Sequence, residues 1–297
     1  MRHRWQVWLM ATLVLGVSAC GSSATTTTTA STTTTATTTD AASDEELFED
    51  FDSASFSNPT VVDNNWLPMR PGTQLIYEGF TVADGEEIPH RVVWTLTDLT
   101  KQIGDVRTVV LWEEDYADEE LQEAEIAFFA QDDAGNVWLF GEYPEEYEEG
   151  ELVATPAWIA GFQDARPGII LPGDPQPGTR SYAQGWGPAV EWYDRGQVFE
   201  VGASTCVATG CYDDVVVIDE FDLAEPNFFQ VKYYAPEVGL VQVGWKGPDP
   251  DQETLEVVEI RQLGEDELAE ARARALELET RAYELNAAVY GETQPAE

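Results

Sequence analysis

Histidine is nearly missing from this chain, which has only His3 and His90. Zinc hydrolases with two or three histidine ligands are thereby excluded, and a Ser-His-Asp or Cys-His arrangement beyond the N-terminal segment would have to run through His90. His90 follows Pro89 at the start of an alternating stretch and reads as an ordinary strand residue. Lysine is almost as scarce, at Lys101, Lys232 and Lys246, and Lys plus Arg total 15 against 56 Asp plus Glu, for a net charge of minus 41. No basic face for a phosphate backbone can be assembled from those residues, so nucleic acid is excluded as a partner and anionic headgroups are repelled. A carboxylate-covered, lysine-poor surface resembles proteins from salty surroundings, where ions screen self-repulsion. No P-loop, Rossmann glycine pattern or EF-hand loop occurs; Asp132-Asp133-Ala134-Gly135-Asn136 lacks the alternation and terminal glutamate of a calcium loop. The sequence nominates no catalytic residue, no metal ligand set and no cofactor. With this many acids, finding carboxylate pairs for a glycosidase means nothing by itself.

Cysteine is also sparse, and its three positions are informative. Arg2 and Arg4 precede an apolar run from Trp5 to Val17, and Val17-Ser18-Ala19-Cys20 follows. That arrangement is an export signal, and its end resembles a lipobox, with cleavage before Cys20 and lipid on the cysteine sulfur. An ordinary secretory signal is the alternative. The thirteen-residue run would make a helix of about 20 Å, short of the ~30 Å hydrocarbon core. A diacylglyceryl Cys20 supplies two chains, the regime of stable anchoring to a membrane. The remaining pair, Cys206 and Cys211 in Thr-Cys-Val-Ala-Thr-Gly-Cys, reads as a local disulfide on a hairpin tip; without a nearby histidine, a closed zinc site is the weaker reading.

After Cys20 the composition collapses to Thr, Ala and Ser, then to the acidic Asp44-Glu45-Glu46-Leu47-Phe48-Glu49-Asp50-Phe51-Asp52. Such segments bury too little to offset the entropy of ordering and read as a tether, plain or glycosylated. The expected organisation is a lipoprotein signal peptide over 1–19, lipidated Cys20 and a disordered tether over 20–57, an antiparallel β domain over 58–262, a C-terminal helix over 263–291 and a tail over 292–297. The expected location is the extracytoplasmic face of the cell membrane.

Within the β domain, alternation predicts strands near 74–80, 90–97, 105–112, 124–130, 137–141, 179–184, 190–193, 197–201, 214–221, 228–235, 240–245 and 254–262. Asp133-Ala134-Gly135-Asn136, Asp84-Gly85 and Asp194-Arg195-Gly196 read as turns. The fold class is therefore mainly β, an antiparallel curved sheet or sandwich of about ten to twelve strands with a long C-terminal α-helix. Residues 161–187, rich in Pro and Gly, read as a long loop crossing between sheets. Residues 142–151 read as an acidic loop, either solvated or gathering divalent cations. Over 264–290, Leu268, Ala271, Ala275, Leu278, Ala282, Leu285 and Val289 form one apolar stripe, which either docks on its own domain or takes a partner helix.

Several segments carry a resemblance. Pro71-Gly72-Thr73 leading into Tyr77-Glu78-Gly79, Gly135-Asn136-Val137-Trp138-Leu139-Phe140-Gly141-Glu142, Pro167-Gly168-Ile169-Ile170, and Tyr233-Tyr234-Ala235-Pro236-Glu237-Val238-Gly239-Leu240-Val241 resemble an uncharacterised group of exported bacterial proteins, many of them lipoproteins. The last segment is also similar to hairpins in lipoprotein-carrier-like curved sheets, except that Glu237 stands where that motif usually has glycine. The resemblance implies export and anchoring, and it implies no activity.

Trp158, Trp186 and Trp192 flank the Pro/Gly-rich stretch and are the candidates for lining a groove that takes a small lipid or glycan ligand. Three functions remain: a non-catalytic ligand-binding or structural envelope lipoprotein, a protein-interaction module using the C-terminal helix, and a carboxylate-dependent hydrolase.

Overall fold

Val109, Val110 and Leu111 are successive residues and all three are buried, so their strand is covered on both faces. A computed structural model describes residues 47–297 apart from 84 and 249–251. The expected signal over 1–19, Cys20 and the tether as far as residue 46 lie outside the described residues.

Among the described residues the strands are β1 (Thr73–Ala83), β2 (Glu86–Ile103), β3 (Val106–Ala117), β4 (Glu120–Gln131), β5 (Val137–Glu148), β6 (Glu151–Ala154), β7 (Trp158–Ile159), β8 (Arg166–Leu171), β9 (Tyr182–Ala183), β10 (Gly185–Trp186), β11 (Asp194–Val207), β12 (Gly210–Asp222), β13 (Phe229–Ala235), β14 (Gly239–Lys246) and β15 (Thr254–Gln262). They join in one antiparallel order, β10-β8-β5-β4-β3-β2-β1-β15-β14-β13-β12-β11-β9, with β6 and β7 also on β5. The two ends of that path, β9 and β10, are separated in sequence by Gln184 alone. The sheet is therefore a nearly closed barrel whose rims meet on residues 182–186.

That closure corrects the reading of 161–187 as a crossing loop. Residues 166–171 form a strand between β5 and β10, with Pro167 opposite Gly185 of the two-residue β10. The missing N–H of Pro167 is tolerated there because the ladder beside it is so short. At Gly168 an added Cβ would lie 2.3 Å from the Gly185 nitrogen and 2.5 Å from the Ala183 oxygen, so the closing segment crosses only because a side chain is absent. The expected strand near 179–184 contracts to β9, and 190–193 holds a bridge from Trp192 to Gly187 instead of a strand. Asp194, Arg195 and Gly196, expected as a turn, are the buried start of β11.

Residues 142–151 also differ from expectation. β5 runs on through Glu148, with Glu142, Tyr143 and Glu145 buried, and only the Glu148 to Glu151 connection is a turn. Glu145 is accommodated on the outer face because Arg281 forks onto it at 2.7 and 2.8 Å while Tyr143 and Tyr147 donate their hydroxyls to it. Burial works against that charge, but the guanidinium and hydroxyls outweigh it and hold the carboxyl below its ordinary range.

Helix α1 (Glu265–Leu285) starts where the Gly264 N–H donates to Glu267 Oε2 at 2.9 Å, with three acids in its first turn facing the positive end of the helix dipole. Its stripe residues Ala275, Leu278 and Ala282 are buried in the same cluster as Val106, Val110, Ile126 and Phe128 of the sheet, and Ala271 is buried as well. The stripe thus packs on its own sheet, and Leu285 alone among the large stripe residues stays 53% exposed. The single long helix expected there is two. The chain breaks at Asn286, whose side chain donates to Thr155 Oγ1 at 2.8 Å, and α2 (Ala287–Tyr290) turns Val289 and Tyr290 into the core. Beyond it, Thr100 and Glu297 exchange backbone hydrogen bonds of 2.9 Å, so the tail lies along β2.

Cys206 and Cys211 are disulfide-bonded and directly opposite in the β11–β12 ladder. Both are exposed at the hairpin's outer end.

Candidate functional site

Register determines which side chains share the inner face. His90, Val92 and Trp94 stand opposite Ala117, Asp115 and Glu113; Asp115 and Glu113 stand opposite Glu123 and Glu125; and Ala127, two residues on, is opposite Glu142. Glu142 is opposite Trp158. On the other side of the barrel Lys232, Glu220 and Asp194 fall on the same face by way of the pairs Ile218 with Lys232, Glu220 with Gly196, and Asp194 with Asp222. One end of the inner face is apolar, with Leu96, Leu111 and Leu139, and the other carries buried carboxylates.

Two buried polar pairs sit in that polar end. His90 Nε2 lies 2.7 Å from Asp115 Oδ1, and its Nδ1 is 3.3 Å from Glu253 Oε1. Lys232 lies 2.6 Å from Glu220 Oε2, and Gln184 of the closing segment donates to Glu220 Oε1 at 2.6 Å. Burial disfavours both charges of the second pair, yet each outweighs the penalty on the other: Lys232 is held above its ordinary range and Glu220 below it.

The tryptophans expected to line a groove meet the carboxylates here. Trp158 is fully buried and stacks on Trp192 with ring centres 5.0 Å apart. Its indole N–H donates to Glu142 Oε1 at 3.0 Å. Trp186 is set apart from that pair, half-buried against Tyr193 at 4.5 Å and Phe48 at 6.3 Å. Gly185 makes room for the stack, since a Cβ there would come within 2.6 Å of Trp192 and 2.7 Å of Trp158. Burial pushes the Glu142 carboxyl up to about 8, with the negative charges of Glu123 and Asp194 adding to it and the Trp158 hydrogen bond opposing it. Glu142 thus holds its proton at neutral pH.

Glu142 was not singled out by the sequence because it falls in an acidic run. The signal for it was the spacing of Tyr143 and Tyr147, which continues the alternation of β5 and puts Glu142 on the opposite face. A separate groove of 530 Å³ runs along α1, lined by Trp112, Leu121, Leu263 and Leu278 with Arg274 and Arg281 among its polar residues. None of Trp158, Trp186 and Trp192 lines it.

Among the described residues no group of three or more His, Cys, Asp or Glu is arranged to hold a metal ion. No helix among them is long and apolar enough to cross a membrane. No family model and no curated protein matches the sequence. Two solved structures are similar in part. One is a candidate exported protein with a YmcC-like fold from Bacteroides fragilis, at 14% identity over 67% of this chain and 99% of that one, with a TM-score of 0.38. The other is a candidate lipoprotein from Parabacteroides distasonis, at 10% identity over 67% of this chain and 99% of that one, with a TM-score of 0.37.

Proposed function

We propose that this chain is an extracytoplasmic lipoprotein, held to its membrane by lipid on Cys20, that binds a ligand without transforming it. The ligand site is the inner face of the barrel where Trp158 and Trp192 stack beside Glu142. The observation that carries this reading is the hydrogen bond from Trp158 to Glu142 on that face. It fixes an aromatic surface and a carboxyl group against each other, the combination by which binding proteins orient a small ligand. The N-terminal export signal and lipobox support the anchor.

Two measurements test it. Native mass spectrometry of protein isolated from its host membranes is expected to show a bound species that is lost in Glu142→Gln. Cys20→Ala is expected to move the protein from the membrane fraction to the soluble extracytoplasmic fraction. A ligand-free native spectrum together with Trp fluorescence insensitive to host extract would remove the binding role.

One observation favours a second reading, a carboxylate-dependent hydrolase. A carboxyl held protonated to about pH 8 is in the state of a general acid, and Glu123 bears on it electrostatically. Release of sugar from glycosides by wild type but not by Glu142→Gln would favour it over simple binding.

A further inference from the structure

We propose that the groove between α1 and the outer face of the sheet is a second binding site, separate from the one beside Glu142, and that it takes a neutral oligosaccharide. Its volume of 530 Å³ falls within the roughly 300–1,000 Å³ of small-ligand pockets. Trp112 and Leu121 of the sheet and Leu278 of α1 supply its apolar lining, and Glu267, Glu270, Arg274, Glu277 and Arg281, at spacings of three and four, line it from one side of the helix. Two of its arginines are already fixed: Arg281 by its fork onto Glu145, and Arg261 by its bond to Gln74 Oε1 at 3.0 Å and its contact with Glu267. Side chains held in this way lose little freedom when a ligand arrives. Arg274 differs: it lies 3.6 Å from Glu277 Oε2, beyond hydrogen-bond reach, with both side chains more than half exposed. The indole N–H of Trp112 is enclosed and has no hydrogen-bond partner among the described residues. A donor left in that state costs free energy until an acceptor reaches it.

The direction of the open hydrogen bonds selects the ligand. Trp112 and Arg274 can only donate, whereas the carboxylates of Glu270 and Glu277 can only accept. Glu267 and Glu114, also in the lining, already take donors from Arg261 and Tyr116. An ammonium has no lone pair to offer the indole. A carboxylate or phosphate could answer Trp112 and Arg274, but it would face Glu270 and Glu277 in a chain of net charge minus 41. A hydroxyl serves both kinds of group, donating one hydrogen bond and accepting others. Several hydroxyls on rigid rings, whose C–H faces lie against Trp112 and Leu121, make a saccharide, and a linear chain of such rings follows a groove that runs along a helix.

The test uses the full chain purified in an uncharged detergent without a sugar headgroup, with calorimetry on maltotriose, cellotriose and triacetylchitotriose. Acetyl-trialanine amide, spermidine and inorganic phosphate serve as peptide, cationic and anionic probes. At least one trisaccharide is expected to bind saturably, more tightly than any of those three, and with an affinity that added salt leaves unchanged, since a neutral ligand has no charge to screen. Trp112→Phe, which keeps an aromatic ring and removes the N–H, and Arg274→Met are each expected to weaken that binding several-fold. Arg274 is exposed, so its variant reports on the groove even if the Trp112 variant fails to fold. Binding of the peptide, spermidine or phosphate as tight as that of the best sugar would overturn the assignment of a saccharide, and so would the absence of binding by all three sugars. Sugar binding kept in Arg274→Met and lost in Glu142→Gln would place the saccharide inside the barrel, which overturns the groove as its site while leaving the site beside Glu142 intact.

Discussion

The ammonium of Lys101 lies 2.7 Å from Glu279 Oε1, joining β2 to α1, with neither side chain more than 4% exposed. It also donates to the Gln294 carbonyl at 2.7 Å, and the rings of Phe128, Tyr283 and Tyr290 stand 5.7, 5.3 and 5.1 Å from it. Glu279 in turn accepts from the Ala296 N–H at 2.9 Å. One buried lysine therefore ties the sheet, the helix and the tail. Removing one charge leaves the other buried and unanswered, so Lys101→Met is expected to cost about 3–5 kcal/mol by urea unfolding. Lys101→Met combined with Glu279→Gln should recover part of that loss. A double variant no more stable than Lys101→Met would show that the two charges are uncoupled.

Glu237, the residue standing in a glycine position of the resembling motif, has φ of 61° in the turn between β13 and β14. That left-handed conformation costs a residue with a Cβ about 1 kcal/mol. Glu237→Gly is therefore expected to raise stability by up to ~1 kcal/mol, read as a rise in melting temperature, with the Asn65 contact to its backbone N–H retained.

Stability should also report Glu142. Its folded pKa of about 8 lies above the ordinary 4.5, so between those values the folded state holds a proton that the unfolded state has lost. Its contribution therefore falls as pH rises from about 4.5 to about 8, and is level beyond. Glu220 acts the other way: its lowered pKa contributes stability above the ordinary carboxyl range that is lost in acid. Glu142→Gln is expected to flatten the decline of melting temperature between pH 5 and pH 8. An unchanged slope would remove Glu142 as its source.

With a net charge of minus 41, self-repulsion is screened by salt over a distance of about 10 Å at 0.1 M and about 3 Å at 1 M. The melting temperature is expected to rise between low and molar sodium chloride. A flat profile would mean that the surface carboxylates are not a significant burden on the fold.

The sequence exposed the elements whose evidence is local. β3 announces itself because Val106, Thr108, Val110 and Trp112 alternate with Val109 and Leu111, and α1 because Ala271, Ala275, Leu278 and Ala282 recur at three and four. The resembling segment at Tyr233 to Val241 is a hairpin, and its odd residue is the strained one. What stayed hidden depends on partners far along the chain. Glu145 is buried because Arg281 arrives 136 residues later, and Glu142 because Trp158 comes in across the ladder. β9 and β10 are two residues each, too short for any periodicity. Of the three tryptophans picked out by their position, Trp158 and Trp192 stack and Trp186 does not join them, and the carboxyl that Trp158 bonds was not picked out, since nothing local separates Glu142 from its acidic neighbours.

Because both rims of the sheet are fastened to residues 182–186, the barrel has one seam. Gln184 straddles it, taking the Asp194 carbonyl with its backbone N–H at 2.9 Å and reaching Glu220 with its side chain. Unzipping those few contacts would bare the strand edges of β8 and β11 together and open the acidic end of the interior to water. That short stitch is also what keeps neighbouring molecules from adding strands to either edge.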